Sequence, residues 1–294
     1  MKRLAAVLLA TAALLGAGCG WFPEMRDEFV ALRYVQSAES HLRALPRNTP
    51  RAIAELDRAV ALKSDDLELM RRVARLYTAA RAWEKAIPLY EAQDELTIHE
   101  RTAYAHSLLN ADRTEEGAQI CLEIIDRAMR WRARSGPRAE WALLLNDAGY
   151  ILADANMHVD RAYEAVEAAV EAMPLQGAFI DSLGWALYRR GELADAAFYL
   201  ERARRHTPED DPEILYHLGV VYARQGRFGE ASVVLERARE LAPHWDVVQK
   251  ELRRLGRILP PPDLAAHGVQ EPGASPGASP RSSDLTRRQE RRSS

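Results

Sequence analysis

The sequence predicts an all-α protein: an α-solenoid of stacked helix–turn–helix units, closed by a C-terminal capping helix and followed by a disordered tail. Three observations carry this reading. Gly149, Gly184 and Gly219 follow one another at intervals of 35 residues. Around each glycine the apolar residues recur at helical spacing, as in Ile180-x-x-Leu183-Gly184-x-x-Leu187. Each of these units closes on a proline, Pro174, Pro208 and Pro243, which lacks the N–H that a helix needs to continue.

The first element is a targeting segment over residues 1–18. Met1, Lys2 and Arg3 form a positive start, and Leu4 to Leu15 is an apolar run broken only by Thr11. That run fits a secretory signal and is shorter than the ~20 apolar residues that span a bilayer. Gly16, Ala17 and Gly18 then lead into Cys19 and Gly20. This approach resembles the lipobox of bacterial lipoproteins, except that Gly16 stands where the family usually has Leu. The resemblance implies that Cys19 becomes the acylated first residue of the mature chain, with residues 19–25 as a tether. Two or more acyl chains anchor firmly, at ~0.8 kcal/mol for each buried CH₂. By similarity to enteric sorting, Gly20 rather than Asp after the cysteine implies the outer membrane, facing the periplasm. The alternative is an ordinary signal in which Cys19 is incidental. The remaining cysteine, Cys121, is expected to be a small buried apolar group.

Residues 26–245 hold about six units, clearest over 140–245. The first spans residues 26–64, with Ala52, Leu56 and Ala59 on its second helix and a long turn from Pro46 to Pro50. The second carries Met70, Val73, Ala74 and Tyr77, then Ala86 and Tyr90. The third carries Thr102, Ala105, His106 and Leu109, then Ala118 and Leu122, on a second helix extended to about Arg134. In the last three units the glycine of the first helix is answered by a small residue on the second, Ala162, Ala196 and Ala231. A mid-helix glycine costs ~1 kcal/mol against alanine. That cost is tolerated where the missing side chain lets the paired helix approach. Gly191 and Gly226 supply the positive φ that follows a helix. Over residues 246–259, Val247, Val248, Leu252, Leu255 and Ile258 make one apolar face of a capping helix. Residues 260–294 are rich in Pro, Ser, Gly and Arg, from Gly273 to Pro280 and on to Arg291 and Arg292, and are read as disordered.

These units resemble the tetratricopeptide repeat (TPR), a helix–turn–helix of ~34 residues. The resemblance implies a right-handed solenoid whose first helices line a concave surface. Placed on that surface, the inward stripe is Asn146, Tyr150 and Asp154, then Asp181, Trp185, Tyr188 and Arg189, then Tyr216, Val220 and Arg224. Aromatics beside arginine are what peptide-binding hot spots favour, so Tyr150, Trp185, Tyr188 and Tyr216 form the candidate partner-binding groove. The alternative is that Trp185 and Tyr188 pack between helices. Arg71, Arg72 and Arg75 form a second, basic feature, and His217 reads as a groove or surface histidine.

Composition and motifs exclude other classes. Hydrophobic residues are 47%, charged residues 28% and net charge −3, so the chain is globular and without the basic excess of a nucleic-acid binder. His99-Glu100 opens like a zinc-peptidase helix, but Ala103 stands where the second histidine is needed. No nucleophile elbow, phosphate loop or dinucleotide fingerprint is present. The expectation is therefore no enzyme, metal or cofactor, and no small-molecule or nucleic-acid ligand. Taken with the signal, the repeats resemble envelope adaptor lipoproteins of the NlpI/LbcA type, which dock a periplasmic processing protease. A pilotin-like secretin assembly factor of the Tgl/PilF kind is the other binding-class reading, and a cell-wall enzyme the reading of another class. Radioactive palmitate is expected to label the wild-type protein and not Cys19→Ser. A wild-type chain that takes up no label removes the lipoprotein reading.

Overall fold

A computed structural model describes residues 23–62, 66–136 and 138–258. The signal segment, Cys19 and the tail from residue 260 lie outside them. Among the described residues there are thirteen helices and no strand. They are α1 (Pro23–Arg43), α2 (Thr49–Ala61), α3 (Leu67–Ala79), α4 (Trp83–Glu91), α5 (Ile98–Leu109), α6 (Thr114–Ser135), α7 (Ala139–Asp154), α8 (Val159–Ala172), α9 (Gly177–Arg190), α10 (Leu193–His206), α11 (Pro212–Arg224), α12 (Phe228–Leu241) and α13 (Asp246–Ile258). The first twelve pair in sequence order into six antiparallel hairpins, each stacked on the next, with α13 against α12. α1 begins at Pro23, so helix already occupies the last residues of the expected tether.

Local chemistry sets the ends. Asn48, Asp66 and Asp211 accept backbone N–H groups at the starts of α2, α3 and α11. Thr97 and Glu100 satisfy each other's backbone in a capping box at the start of α5. Gly191 and Gly226 turn at φ +87° and +78°. Asn156, 35 residues before Gly191, takes the same left-handed conformation at φ 56°, and Arg81 and Asp112 do so in earlier turns. Asn and Asp tolerate that region, while for arginine it is uncommon.

The paired helices touch where a side chain is missing. A β-carbon on Gly184 would sit 2.7 Å from Leu200 Cγ, and one on Gly219 would sit 2.4 Å from Leu235 Cγ. On Gly149 it would meet the Ala162 carbonyl oxygen at 2.9 Å. These contacts belong to one hydrophobic core running from α5 to α13, with Leu145, Leu152, Ile180, Leu200, Leu215 and Leu235 at its centre.

A second, separate core holds α1 to α4, built on Val35, Leu56, Val73, Tyr77 and Tyr90. The seam between the two mixes apolar contact, with Ala103 and Tyr104 of α5 packed against the smaller core, and polar contact. The Thr78 hydroxyl lies 3.2 Å from the Tyr90 hydroxyl and 3.1 Å from that of Ser107. Buried Glu100 takes Arg75 at 3.1 Å and Arg71 at 3.6 Å. Arg72 grips Glu39 through two bonds of 2.6 Å. The basic feature expected at Arg71, Arg72 and Arg75 is therefore spent on internal pairs between hairpins. Cys121 is buried, and burial pushes its thiol up to about 12. It is inert, as expected of a packed thiol.

Gly219→Ala is expected to lower stability by about 1–3 kcal/mol through overpacking, despite alanine's better helix propensity. Gly256, in α13, has open space around it. Gly256→Ala is expected to raise stability by up to ~1 kcal/mol. Denaturant melts of the two variants check the pair, and a stabilised Gly219→Ala contradicts the close-approach account.

Candidate functional site

The first helices α7, α9 and α11 carry the predicted stripe in register. Asn146, Asp181 and Tyr216 are equivalent positions, as are Tyr150, Trp185 and Val220, and then Asp154, Arg189 and Arg224. The fold brings most of them into one cluster. It also seals much of that cluster from solvent, which corrects the expectation of an open aromatic strip.

Trp185 is 2% exposed. Its ring stacks on His217 with centroids 4.1 Å apart and on Tyr188 at 4.8 Å, with Tyr216 at 6.1 Å. The Arg189 guanidinium covers it at 4.7 Å, and the indole N–H donates to Asp154 Oδ1 at 3.2 Å. Asp181 is buried, with both carboxylate oxygens 3.0 Å from His217 Nδ1. His217 is itself 1% exposed, so the expected groove or surface histidine is a buried one. Asn146 and Val220 are buried too, and Asn146 Oδ1 has no hydrogen-bond partner among the described residues.

The cluster is closed from the other end of the chain. The Tyr150 hydroxyl donates to Glu213 Oε1 at 2.5 Å. Arg81, from the turn between α3 and α4, donates to the same oxygen at 3.1 Å and lies 4.4 Å over the Trp245 ring. Trp245 packs on Tyr216 at 5.0 Å. The Arg47 backbone N–H reaches the Leu241 carbonyl at 3.1 Å. Hairpins 1 and 2 thus meet the end of hairpin 6 across the concave side.

The sequence reading missed Glu213, Arg81 and Trp245, and it missed that His217 pairs with Asp181. One signal was present for that buried pair. Asp181 and His217 stand 36 residues apart, one repeat plus one, which places them on facing turns of neighbouring first helices. Arg81 has no such signal, because its contact depends on how far the stack winds.

The ionisable groups respond to this enclosure. Burial pushes His217 down, but the carboxylates of Asp181 and Glu213 outweigh it and hold the imidazole above its ordinary value. Burial raises Asp181, and His217 offsets only part of that rise. Burial likewise pushes Glu213 up, but Arg81 and His217 bring it below the usual carboxylate range. Burial drives His106 the other way, to about 4.

What stays open is the turn end of the groove. A cleft of about 310 Å³ is lined by Asn156, Tyr188, Arg189, Gly191, Leu193 and Arg224. Arg224 is exposed and makes no ion pair or hydrogen bond through its side chain among the described residues. Arg189 Nη2 donates to the Asp154 carbonyl at 2.6 Å, while its buried Nε has no acceptor. A tyrosine ring and two guanidinium groups, one uncommitted, suit a peptide carbonyl or carboxylate. Among the described residues no group of three His, Cys, Asp or Glu side chains is placed to hold a metal, and no helix is long and apolar enough to cross a membrane.

Residues 182–244, which hold the cleft's α9 and α11 walls and the helices behind them, match the family profile of the tetratricopeptide repeat. This stretch is similar to tetratricopeptide repeats. The TPR repeat-containing protein PA4667 of Pseudomonas aeruginosa is 42% identical over 78 residues, covering 26% of this chain and 13% of that protein. The chain therefore spans a small part of that relative's length. Among solved structures, PilW, a type IV pilus biogenesis factor, is similar at 14% identity over 80% of this chain and 99% of its own, with a TM-score of 0.49. PilF of Pseudomonas aeruginosa is similar at 16% identity over 79% and 99%, with a TM-score of 0.42. The TPR protein TTC0263 of Thermus thermophilus is similar at 16% identity over 80% and 100%, with a TM-score of 0.38.

Two histidines in one solenoid are expected to titrate on opposite sides of 6.5. His106 stays neutral until the pH falls to about 4. His217 keeps its proton above 6.5. A depressed histidine contributes stability above its unfolded pKa and loses it as the pH falls from about 6.5 toward 4. A raised histidine contributes below 6.5 and loses that as the pH climbs through its folded value. NMR titration of the imidazole resonances separates the two. A common midpoint contradicts the enclosed arrangement.

Proposed function

We propose that the chain is a membrane-anchored TPR scaffold of the bacterial cell envelope that binds protein partners and brings a periplasmic protease together with its substrates. The repeats supply an array with no catalytic motif, and the sequence around Cys19 supplies the anchor. The observation that carries the binding half is the open cleft at Tyr188, Arg189 and Arg224. There the groove ends in a tyrosine ring and an arginine with no side-chain partner among the described residues. A partner segment entering the cleft gains bidentate hydrogen bonds from Arg224 and a ring to pack on, without displacing buried residues.

The test is crosslinking and pull-down from the envelope, comparing wild type with Tyr188→Ala/Arg224→Ala. Both residues are at least partly exposed, so the variant is expected to fold and to lose its principal partner about tenfold or more, the cost of one or two hot-spot contacts. Trp185→Ala is the unsuitable variant: truncating so buried a ring costs about 3–5 kcal/mol of stability. An unchanged partner list from a folded double variant removes the cleft from the reading. Recovery of a secretin in place of a protease replaces the adaptor role with a pilotin-like one.

A further inference from the structure

The second helices of hairpins 4, 5 and 6 are each 14 residues long, but α6 has 22. Eight further residues add ~12 Å of helix at 1.5 Å per residue. This overhang has two sides. One is packed: Ala128 is buried, Arg132 pairs with Glu171 of α8, and its guanidinium lies 6.0 Å from the Trp141 ring centre. The other carries Arg130, Trp131 and Arg134, and Arg127, the residue just before the overhang, continues that side; all four are exposed. Their spacing of three, four and seven residues puts them on one helical face.

Among the described residues nothing neutralises that face. From Arg127 to Arg138 there are five arginines and no carboxylate. The acidic neighbours are committed elsewhere: Glu123 to Arg101, Asp126 to Arg161 and Glu171 to Arg132. Arg130, Arg134 and Arg138 make no side-chain ion pair or hydrogen bond among the described residues. Among the described residues Arg127 meets the Trp131 ring, at 4.9 Å. About half of the other exposed helix arginines also lack a carboxylate partner, so what sets this cluster apart is that three unpaired arginines share one face with a tryptophan, in a chain of net charge −3.

We propose that the Arg127–Arg130–Trp131–Arg134 face of α6 is a peripheral membrane-binding surface that takes the anionic headgroups of a phospholipid bilayer. Arginines near an anionic bilayer each add ~1 kcal/mol, about fivefold in partitioning. The partly exposed tryptophan selects a bilayer over other polyanions, because its ring sits at the boundary between headgroups and acyl chains. Nucleic acid is disfavoured by the acidic balance of the rest of the surface. The surface acts whether or not Cys19 is acylated. With an acylated Cys19 it fixes which side of the solenoid lies against the membrane.

The test uses the full chain with Cys19→Ser, so that no acyl anchor contributes and failure of the lipoprotein reading is scored separately by palmitate labelling. Cosedimentation is measured with phosphatidylcholine vesicles and with equimolar phosphatidylcholine and phosphatidylglycerol. The parent is expected to pellet with the mixed vesicles only, and less so at high salt. Arg127→Glu/Arg130→Glu/Arg134→Glu is expected to bind about a hundredfold more weakly, from three fivefold losses. The matched control is Arg33→Glu/Arg51→Glu/Arg253→Glu, at exposed side chains without partners on other helices, and it retains most of the binding. Segments 1–18 and 260–294 are common to every variant and cancel, and far-UV circular dichroism checks that each is folded. A parent that binds neither vesicle or both equally overturns the proposal. So does a triple variant that binds like the parent, or a control triple that loses as much. If the triple variant keeps its vesicle binding but loses an acidic protein from the envelope pull-down, the face is a protein-docking surface instead.

Discussion

Hairpins 4, 5 and 6 hold together through an approach between helices that leaves no room for a β-carbon on one side. At Gly149 the facing atom is a backbone oxygen, and at Gly184 and Gly219 it is the branch carbon of a core leucine. Helices of 13 to 16 residues are marginal alone in water, so their stability comes from packing. Close approach converts each pair into a unit with two outward apolar edges. The next hairpin must cover those edges. Stacking, the continuous core from α5 to α13 and the placement of α7, α9 and α11 on one side all follow from that requirement.

Stacking first helices side by side creates a concave lining, and this protein fills much of it with its own residues. Asp181 and His217 satisfy each other, Trp185 lies between two rings and a guanidinium, and Arg81 ties Glu213 and Trp245 to an early hairpin. Burying charges is costly unless they are paired, and here each has a partner within hydrogen-bond distance. The lining is thus largely preorganised. What it leaves for another molecule includes the turn end, where Tyr188 is partly exposed and Arg224 exposed.

The helical class and the close-packed glycines were legible because they repeat. One residue type at one interval reports one geometric constraint, and a single sequence shows it three times. The turn conformation was readable at Gly191 and Gly226. It was missed at Asn156, although the same 35-residue interval leads there. The stripe positions were readable as a register but not as exposed or buried, since burial depends on what the facing hairpin contributes. Trp185 is covered by His217 and Arg189 together, and neither announces that in its own local pattern. Arg71, Arg72 and Arg75 looked like an available basic surface because Glu39 and Glu100 lie 33 and 25 residues from Arg72 and Arg75.

The seam at Thr78, Tyr90 and Ser107 has a consequence for how the protein comes apart. Nearest-neighbour coupling in a solenoid is only as strong as its weakest interface. Here one junction joins two distinct cores, and a hydroxyl pair and a buried Glu100–Arg75 pair stand beside its apolar contacts. A boundary between two cores is where a solenoid is expected to open first, with the first two hairpins leaving together. Opening it withdraws Arg81 from Glu213 and uncovers Trp245. Exposure of the closed concave side would then follow that local opening, which amide exchange in α1 to α4 reports.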